Sequence, residues 1–216
     1  MGFTSEQLLD IYQRLDQYFG QLNWWPAENR FEVIVGAVLT QNTNWKNVEK
    51  SIDTLKRANL LSFDALLHMS VEQLANLIRS SGYYNLKARR LKNLLEMIAQ
   101  EYDADLTLFF SQQTSTAREA LLRVKGIGPE TADSILLYAG EHPTFVIDAY
   151  THRILSRHHL VPESCDYQTM YDLFMENLDH DVAMFNQYHA LMVKTAKRFC
   201  KKREPLCDEC PLGVLL

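Results

Sequence analysis

Residues 124–133 read VKGIGPETAD and join two runs of helical periodicity. Pro129 stands where it can open the second helix, because its fixed φ suits the first helical position and its missing N–H is not needed there. Gly126 and Gly128 flank one apolar residue, and glycine can adopt the positive φ that tight turns require. The segment therefore predicts a helix, a tight hairpin and a second helix.

Such a hairpin can bind phosphate. Glycines lack Cβ atoms, so a ligand can approach the backbone closely, and the N–H groups at the start of a helix attract anions. A G-x-G sequence is also commonly a plain turn between two core helices. The hairpin alone leaves both interpretations open.

Helical spacing extends along the whole chain, and strand signals are sparse. Apolar side chains recur at i, i+3, i+4 and i+7, the pattern that turns one helix face toward a core. The clearest example is the set Phe31, Ile34, Val35, Val38 and Leu39. Polar breaks divide the chain into about ten helices, which predicts an all-α fold.

Length and composition indicate an intracellular protein. The 216 residues, 47% of them hydrophobic, can build one substantial core or two small helical domains. No segment approaches the roughly 18 uninterrupted apolar residues of a membrane span, and the start of the sequence lacks a basic region followed by an apolar run. We expect a cytoplasmic monomer without a membrane partner.

The formal net charge of −5 weighs against a nucleic-acid partner, because dedicated nucleic-acid binders are usually basic. Local charge differs from this average in two clusters, each of which is either a DNA-facing surface or a solvated helix face. The first cluster comprises Lys87, Arg89, Arg90 and Lys92, and the second comprises Lys194, Lys197, Arg198, Lys201, Lys202 and Arg203.

Four motifs, in order, resemble those of the endonuclease III superfamily of DNA glycosylases. Residues 36–43, GAVLTQNT, resemble an early helix of that family whose glutamine enters the DNA. Residues 81–88, SGYYNLKA, resemble its G-x-Y-N-x-K-A loop. The hairpin at 124–133 and the later Asp148 resemble its helix-hairpin-helix and downstream aspartate.

The resemblance implies a two-lobed helix-hairpin-helix DNA glycosylase fold with a cleft between the lobes. One lobe is a helical barrel of residues 31–140 that carries the hairpin. The other is a discontinuous helical domain formed by residues 1–30 and 141–216, which includes the cysteine motif. The implied partner is double-stranded DNA with a damaged base.

Glu130 decides the class of chemistry. In bifunctional members of the family a lysine stands at this position and attacks the sugar C1′ to form a Schiff base, which leads to strand cleavage. A carboxylate cannot form a Schiff base, so the chain resembles the monofunctional branch, in which water is the nucleophile and AP lyase activity is absent. An acid in the first turn of a helix is also favoured by the helix dipole.

Asp148 is the candidate catalytic acid. Cleavage of an N-glycosidic bond passes through an oxocarbenium-like sugar, whose charge a nearby carboxylate can stabilise while it orients the attacking water. Asp148 is also a preferred residue type for the N-cap of a helix over 149–157. The two roles are compatible.

The N-terminal region resembles the 3-methyladenine DNA glycosylase III subgroup, through Trp24, Trp25, Pro26 and Trp45. In that subgroup a tryptophan, a proline and a later aromatic residue line the base pocket. Aromatic rings suit an alkylated purine, because N3 methylation makes the base cationic and ring faces attract cations. The alternative is that these tryptophans pack in a core.

The resemblance also implies a set of DNA contacts. Gln41 would fill the space left by the flipped nucleotide, and Tyr83 would stack on the neighbouring base, although a plain core or surface tyrosine is equally compatible with the sequence. The complete set of expected DNA-binding residues is Gln41, Tyr83, Lys125, Gly126, Gly128 and Lys197.

Cys200, Cys207 and Cys210 reproduce three ligands of the C-x6-C-x2-C-x5-C pattern that holds a 4Fe-4S cluster in much of this family. Thiols so spaced in a cytosolic protein favour metal binding over disulfides. Leu216 occupies the fourth position. A displaced fourth ligand, a non-cysteine ligand and a decayed site without a cluster all stay open.

Together these patterns predict a monofunctional DNA glycosylase of base excision repair. Its substrate would be a flipped alkylated purine such as 3-methyladenine, and the chemistry itself needs no cofactor. A glycosylase for oxidised or mismatched pyrimidines and a non-catalytic helix-hairpin-helix DNA-binding protein are the alternatives.

Overall fold

A computed structural model describes residues 5–215 of the chain. In this range it contains twelve α-helices and no β-strand, which confirms the predicted all-α class. The helices are α1 (Ser5–Phe19), α2 (Arg30–Thr40), α3 (Trp45–Arg57), α4 (Phe63–His68), α5 (Val71–Leu77), α6 (Tyr84–Glu101), α7 (Leu106–Phe110), α8 (Thr114–Arg123), α9 (Pro129–Tyr138), α10 (Ala149–Arg157), α11 (Tyr167–Asn177) and α12 (Val182–Arg198).

Three short 3-10 helices accompany them, at Arg79–Ser81, Cys207–Glu209 and Gly213–Leu215. The number of α-helices exceeds the prediction of about ten because α4, α5 and α7 have only six, seven and five residues. Segments of two turns or fewer are too short for a 3.6-residue period to stand out. Across residues 5–215 no helix combines the length and the apolar character that crossing a membrane requires.

The chain divides into two compact units. One unit is continuous and spans Ala27–His142, and it contains α2 to α9. The other combines the described residues up to Pro26 with those from Pro143 onward, and it contains α1 and α10 to α12. We call them the hairpin unit and the Asp148 unit.

In the hairpin unit α2 is the central element. Nine of its residues, from Phe31 to Leu39, are buried, and it packs against α3, α6 and α9. The one charged residue in this run, Glu32, is 4% exposed and lies 2.9 Å from Lys56 Nζ. Because a buried carboxylate is costly unless it is paired, this contact lets an otherwise apolar helix keep its acid.

The two helices of the hairpin, α8 and α9, are joined by a buried ion pair. Asp133 on α9 is completely buried and accepts two hydrogen bonds from Arg118 on α8, of 2.8 and 3.0 Å. Bidentate pairs of this kind fix orientation as well as distance. The pair therefore sets how the helix before the hairpin lies against the helix after it.

The Asp148 unit has an aromatic core. Phe145 and Phe174 stack with ring centroids 3.8 Å apart, and Phe185 and Tyr188 meet the Phe145 ring edge-on. All four side chains are fully buried. The Tyr188 hydroxyl donates to the backbone oxygen of Leu8, so the polar end of the ring also fixes α1 against α12.

The segment after α1 is held by the side chain of Gln187. This buried amide on α12 donates to Asp16 Oδ1 at 2.7 Å and to the backbone oxygen of Gly20 at 3.0 Å, and its oxygen accepts from the backbone N–H of Leu22. Trp24 lies two residues beyond Leu22. One glutamine thus determines where the tryptophan segment leaves α1.

Candidate active site

Asp148 is the N-cap of α10, and its backbone is fixed by the segment that leads into it. Phe145, Val146 and Ile147 are almost completely buried. Asp148 Oδ1 accepts hydrogen bonds from the backbone N–H groups of Tyr150 at 2.9 Å and Thr151 at 2.7 Å. The cap occupies one carboxylate oxygen and leaves the second available.

The second oxygen of Asp148 faces His189 of α12, with Oδ2 and Nε2 3.5 Å apart. The Asp148 side chain is only 12% exposed. Burial alone would raise its pKa, but the hydrogen bond and charge of His189, together with hydrogen bonds from Thr151, outweigh it and hold the pKa below the usual 3.8. The site therefore keeps a nearly dry carboxylate in its ionised form.

Trp24 and Lys197 lie beside this pair. The Trp24 ring meets the His189 ring at 73° with centroids 6.4 Å apart. Lys197 Nζ stands 5.9 Å from the Trp24 centroid and 5.8 Å from the centroid of Tyr150. Trp24 was expected to line the base pocket and Lys197 to contact DNA, while Tyr150 and His189 had no expected role; the structure brings all four into one cluster with Asp148.

The tryptophan segment lies at the surface of the unit and not in its core. Trp24 and Trp25 are half-buried and Pro26 is exposed. Trp24 Nε1 is buried and has no hydrogen-bond partner within residues 5–215. Because buried donors are normally satisfied, this N–H is available to an acceptor on a bound molecule.

Trp45 belongs to the hairpin unit, where it is the first residue of α3. It is half-buried, and its Nε1 donates to Glu49 one turn further along the helix, at 2.8 Å. Its ring is therefore fixed by a local contact instead of core packing.

The hairpin has the predicted form of a helix, a tight turn and a second helix. Gly126 adopts a φ of +100°, and a Cβ there would collide with the side chain of Arg90. Gly128 is extended, with a φ of −96°, as the N-cap of α9, and a Cβ there would meet nothing within 4 Å. Of the two glycines only Gly126 uses positive φ, while Gly128, without a Cβ, leaves an open approach to the helix start. Lys125 beside them is exposed.

Gln41 follows α2 and braces the hairpin from inside the unit. Its Nε2 donates to the backbone oxygen of Gly126 at 3.1 Å and to Thr131 Oγ1 at 2.9 Å, and its Oε1 accepts from Arg90 Nη1 at 2.5 Å. Asn93 donates to the backbone oxygen of Lys125 at 2.9 Å. The hairpin is thus positioned by side-chain amides as well as by its own helices.

Tyr83 stands at the tip of the loop before α6. It is 70% exposed and adopts a positive φ of 45°. The loop is anchored by Lys87, whose Nζ donates to the backbone oxygens of Leu39 at 2.7 Å and Ser81 at 2.6 Å. Burial, and then the charge of Arg90, lowers the pKa of Lys87 to about 8. Tyr83 is therefore a projecting surface ring on a rigid base.

Two members of the first basic cluster are buried, while Arg89 is exposed. Lys87 and Lys92 are buried, and Lys92 Nζ donates to the backbone oxygens of Leu66 and Leu67. The sequence left two interpretations of this cluster, a DNA-facing surface and a solvated helix face, and both are wrong for these two lysines. The members of the second cluster, including Lys197, are all exposed.

The cysteine segment follows α12 and is fastened to α10 by two arginines. Arg153 donates to the backbone oxygen of Cys200 at 2.7 Å, and Arg157 donates to those of Lys201 and Lys202. Arg157 Nη1 also lies 3.4 Å from the sulfur of Cys200. Burial raises the pKa of Cys210, and the neighbouring thiols of Cys200 and Cys207 add to this effect. Cys210 therefore lies near both other thiols of the motif.

The three cysteines line one small cavity, which Arg157 and His158 also border. Within residues 5–215 no group of three or more His, Cys, Asp or Glu side chains converges as the ligands of a single metal ion do. Leu216, the residue at the fourth position of the spacing pattern, lies outside the described residues.

Comparison with known proteins identifies the family. Residues 35–180 match the HhH-GPD superfamily of base excision DNA repair proteins. The chain belongs to this superfamily. It is therefore a DNA glycosylase, an enzyme that acts on N-glycosyl bonds of DNA, and the resemblance drawn from the four motifs is confirmed.

Two relatives show how much of the chain is shared. A protein of Methanocaldococcus jannaschii named "Putative DNA repair glycosylase" is 46% identical over 208 residues, which are 96% of this chain and 94% of that protein. Endonuclease III of Sulfolobus acidocaldarius is 29% identical over 85% of this chain and 80% of its own length.

Two solved structures share the fold. The 3-methyladenine DNA glycosylase MagIII of H. pylori, bound to 1,N6-ethenoadenine, superposes with a TM-score of 0.78 at 29% identity, covering 91% of this chain and 98% of that one. A non-covalent endonuclease III–DNA complex reaches a TM-score of 0.83 at 21% identity, covering 99% of this chain and 95% of that one. The predicted helix-hairpin-helix glycosylase fold is confirmed.

His189 is the residue of this site that the sequence did not reveal. It stands on α12 among buried apolar residues, one turn after Phe185 and one turn before Val193. A histidine on an apolar helix face is a weak signal, because many such residues are simply satisfied core side chains. Its partner Asp148 lies on another element, so no local spacing links the two.

We expect His189→Leu to move the acid limb of the excision profile to higher pH. The depressed pKa of Asp148 keeps its carboxylate ionised down to below pH 3.8, and without His189 the burial effect that raises the pKa is no longer offset. The stability that this ionised group contributes is present above its unfolded pKa and is lost as pH falls through its folded pKa. Without His189 the folded pKa of Asp148 rises, so this contribution is lost and the carboxylate is protonated, with loss of excision, at a higher pH.

The measurement is single-turnover excision between about pH 4.5 and pH 8, a range chosen to lie above the usual aspartate pKa. His189→Gln is the matched control, because its amide can still donate to the carboxylate and should shift the limb less. Identical acid limbs in the parent and in His189→Leu would show that His189 does not hold the ionisation of Asp148.

Proposed function

We propose that this glycosylase is monofunctional and hydrolyses the N-glycosidic bond of an alkylated purine in double-stranded DNA, acting as a monomer. The proposal rests on the residue types at two separate positions, Asp148 and Glu130. Asp148 is held ionised by a helix cap and His189, while Glu130 occupies the first turn of α9 where a nucleophilic lysine would stand.

Asp148 can act through the oxygen that the cap leaves available. As the bond between C1′ and the base breaks, positive charge develops on the sugar, and Oδ2 offers an ionised acceptor in a nearly dry environment, where charge stabilisation is strongest. The same oxygen can accept a hydrogen bond from water and direct it at C1′. The base leaves with the electron pair of the broken bond and the water oxygen bonds to C1′. The water proton passes by way of Oδ2 to solvent when a cationic base leaves as a neutral molecule, and to the departing base when that base leaves as an anion.

Trp24 supports a base pocket next to this carboxylate. Its ring is half-buried, it touches the His189 ring, and its buried Nε1 has no acceptor among the described residues. A purine has ring-nitrogen acceptors and a flat face, so it could satisfy both the N–H and the ring. The similarity to MagIII, named as a 3-methyladenine DNA glycosylase, supports a purine at this position.

Lys197 disfavours a cationic base without excluding it. Its ammonium stands 5.9 Å from the Trp24 centroid, and a cationic base on the same ring would experience repulsion, which DNA phosphates reduce if they attract the lysine. We therefore infer a pocket that accepts neutral alkylated purines, such as the 1,N6-ethenoadenine named in the MagIII complex, as well as cationic 3-methyladenine.

A second candidate is a glycosylase for oxidised or mismatched pyrimidines. The spacing of Cys200, Cys207 and Cys210 and the similarity to endonuclease III of Sulfolobus acidocaldarius favour it. It shares the fold and Asp148 with the first proposal but not the need for a purine-sized aromatic slot. The substrate experiment below separates the two.

We further propose that the cysteine segment holds a 4Fe-4S cluster with a structural role. The three thiols share a cavity, and thiolates are the usual ligands of such clusters. When bound, the cluster would fasten the segment that presents Lys201, Lys202 and Arg203, all exposed, to DNA. No step of base removal passes through it.

A panel of duplexes, each with one lesion, tests the substrate and the reaction type together. We expect release of 3-methyladenine and 1,N6-ethenoadenine, strand breaks only after alkali, and no adduct trapped by borohydride, because Glu130 cannot form a Schiff base. Thymine glycol and thymine opposite guanine are the pyrimidine arm of the panel. Preferential release of a pyrimidine would establish the second candidate, and a borohydride-trapped adduct would overturn monofunctionality.

We expect Asp148→Asn to abolish base excision while binding to an abasic-site analogue stays within a few-fold. Asparagine is as good an N-cap as aspartate, so α10 keeps its start, and only the negative charge that stabilises the transition state is removed. Single-turnover excision and binding titrations on the same preparation provide the comparison. Equal losses of binding and excision would assign Asp148 a structural role alone.

We expect Trp24→Ala and Trp45→Ala each to slow excision of 3-methyladenine by roughly tenfold to a hundredfold, since a base–aromatic stack is worth on the order of 1–3 kcal/mol. Neither ring is in a core, so the melting temperature should change little, in contrast to the roughly 3–5 kcal/mol lost when a core tryptophan is truncated. Phe109→Ala, at a fully buried ring of the hairpin unit, is the control for a purely structural loss. If the variants unfold at a lower temperature while their folded fraction excises at the parental rate, these rings do not contact the base.

A further inference from the structure

One side chain from outside the cysteine segment lines the cysteine cavity and has no assigned role. This residue is His158, which follows Arg157 at the C-terminal end of α10. Its Nδ1 is buried and has no hydrogen-bond partner within residues 5–215. Because a buried polar atom is normally paired, an orphaned imidazole nitrogen at the wall of a thiol-lined cavity points to a missing ligand.

The cavity is closed by a tightly folded loop. The backbone N–H of Cys210 donates to the oxygen of Cys207, and that of Gly213 donates to the oxygen of Cys210. A Cβ at Gly213 would collide with the Cys207 oxygen, so only glycine permits this closure. The loop therefore wraps the three cysteines around the space that His158 borders.

The opposite wall is fixed by α10. Arg157 holds the backbone of Lys201 and Lys202 and places its guanidinium 3.4 Å from the Cys200 sulfur. His158 is the next residue, and its own backbone N–H caps α10 by donating to Ile154. The imidazole is therefore carried by a helix end that is already tied to the first cysteine.

The three cysteines and His158 match the number of protein ligands of a 4Fe-4S cluster, which is four. A 4Fe-4S cluster binds each protein ligand through a different iron, so its ligands surround a cavity and need not meet at one point. The three cysteines have this arrangement. Histidine is a known replacement for cysteine on cluster iron, and it binds metals through a neutral ring nitrogen.

We propose that His158 is the fourth protein ligand of the metal centre, where the cysteine spacing pattern places Leu216. The inference rests on the proposed cluster at Cys200, Cys207 and Cys210, and it assigns the ligand that the sequence pattern lacks. It makes the centre a three-thiolate, one-imidazole site that joins α10 to the cysteine segment.

The test uses the full chain, reconstituted without oxygen from ferrous iron and sulfide. We expect about four irons and four sulfides per chain in the parent, as in a 4Fe-4S cluster. In His158→Ala the iron without a protein ligand should be lost on mild oxidation, leaving about three irons and the electron paramagnetic resonance signal of a three-iron cluster. His158→Cys should restore the fourth iron.

His159→Ala is the matched control, because His159 is the exposed neighbour of His158 and should leave the iron content and the spectrum unchanged. A direct readout comes from protein labelled with ¹⁵N-histidine. In the reduced parent, pulsed electron paramagnetic resonance should detect a nitrogen coupled to the cluster, and the coupling should vanish in His158→Ala.

The outcomes separate the two proposals. A parent that binds neither iron with sulfide nor zinc would overturn the cluster itself and the inference with it. A parent with a full cluster, no coupled nitrogen and no change in His158→Ala would overturn only the assignment of His158. Stoichiometric zinc that is lost in His158→Ala but kept in His159→Ala would replace the cluster by a single ion and retain His158 as its ligand.

Discussion

A single buried carboxylate organises the Asp148 unit. Its two oxygens face different partners, since Oδ1 accepts the first free N–H groups of α10 while Oδ2 faces His189 on α12. The backbone contacts fix the orientation of the side chain, and the histidine keeps it charged in spite of burial. The helices α10 and α12 also pack directly against each other. Asp148 therefore caps one of these helices and forms a charged contact with the other.

Elsewhere, long polar side chains, of which Gln187 and Lys87 are buried, hold irregular segments in place. Gln187 fixes the chain before Trp24, Lys87 fixes the loop that carries Tyr83, and Arg157 fixes the cysteine segment. In each case a long side chain hydrogen-bonds to backbone groups of a segment that has no regular hydrogen bonds of its own. Backbone groups that are shielded from water need such partners. The segments proposed to meet DNA or a base are therefore rigid without belonging to helices.

The sequence was sufficient for the class of fold and for the hairpin, because helical periodicity and the G-x-G-P pattern are local signals. It failed for α4, α5 and α7, which are too short for a period, and for Lys87 and Lys92, whose charge suggested a surface although both are buried. It also could not find His189 or His158. The proposed role of each histidine depends on residues of another helix or loop. These residues are distant in the sequence and are brought close only by tertiary packing.

The position of Gln41 has a consequence for how this enzyme would search DNA. If this amide enters the duplex, it must first give up its contacts with Gly126, Thr131 and Arg90, each hydrogen bond being worth about 0.5–1.5 kcal/mol and the one to the guanidinium somewhat more. Entry would thus be opposed at every intact base pair and repaid only where a nucleotide leaves the stack easily. The same amide would thus serve either to brace the hairpin or to enter the duplex, and the two roles would exclude each other.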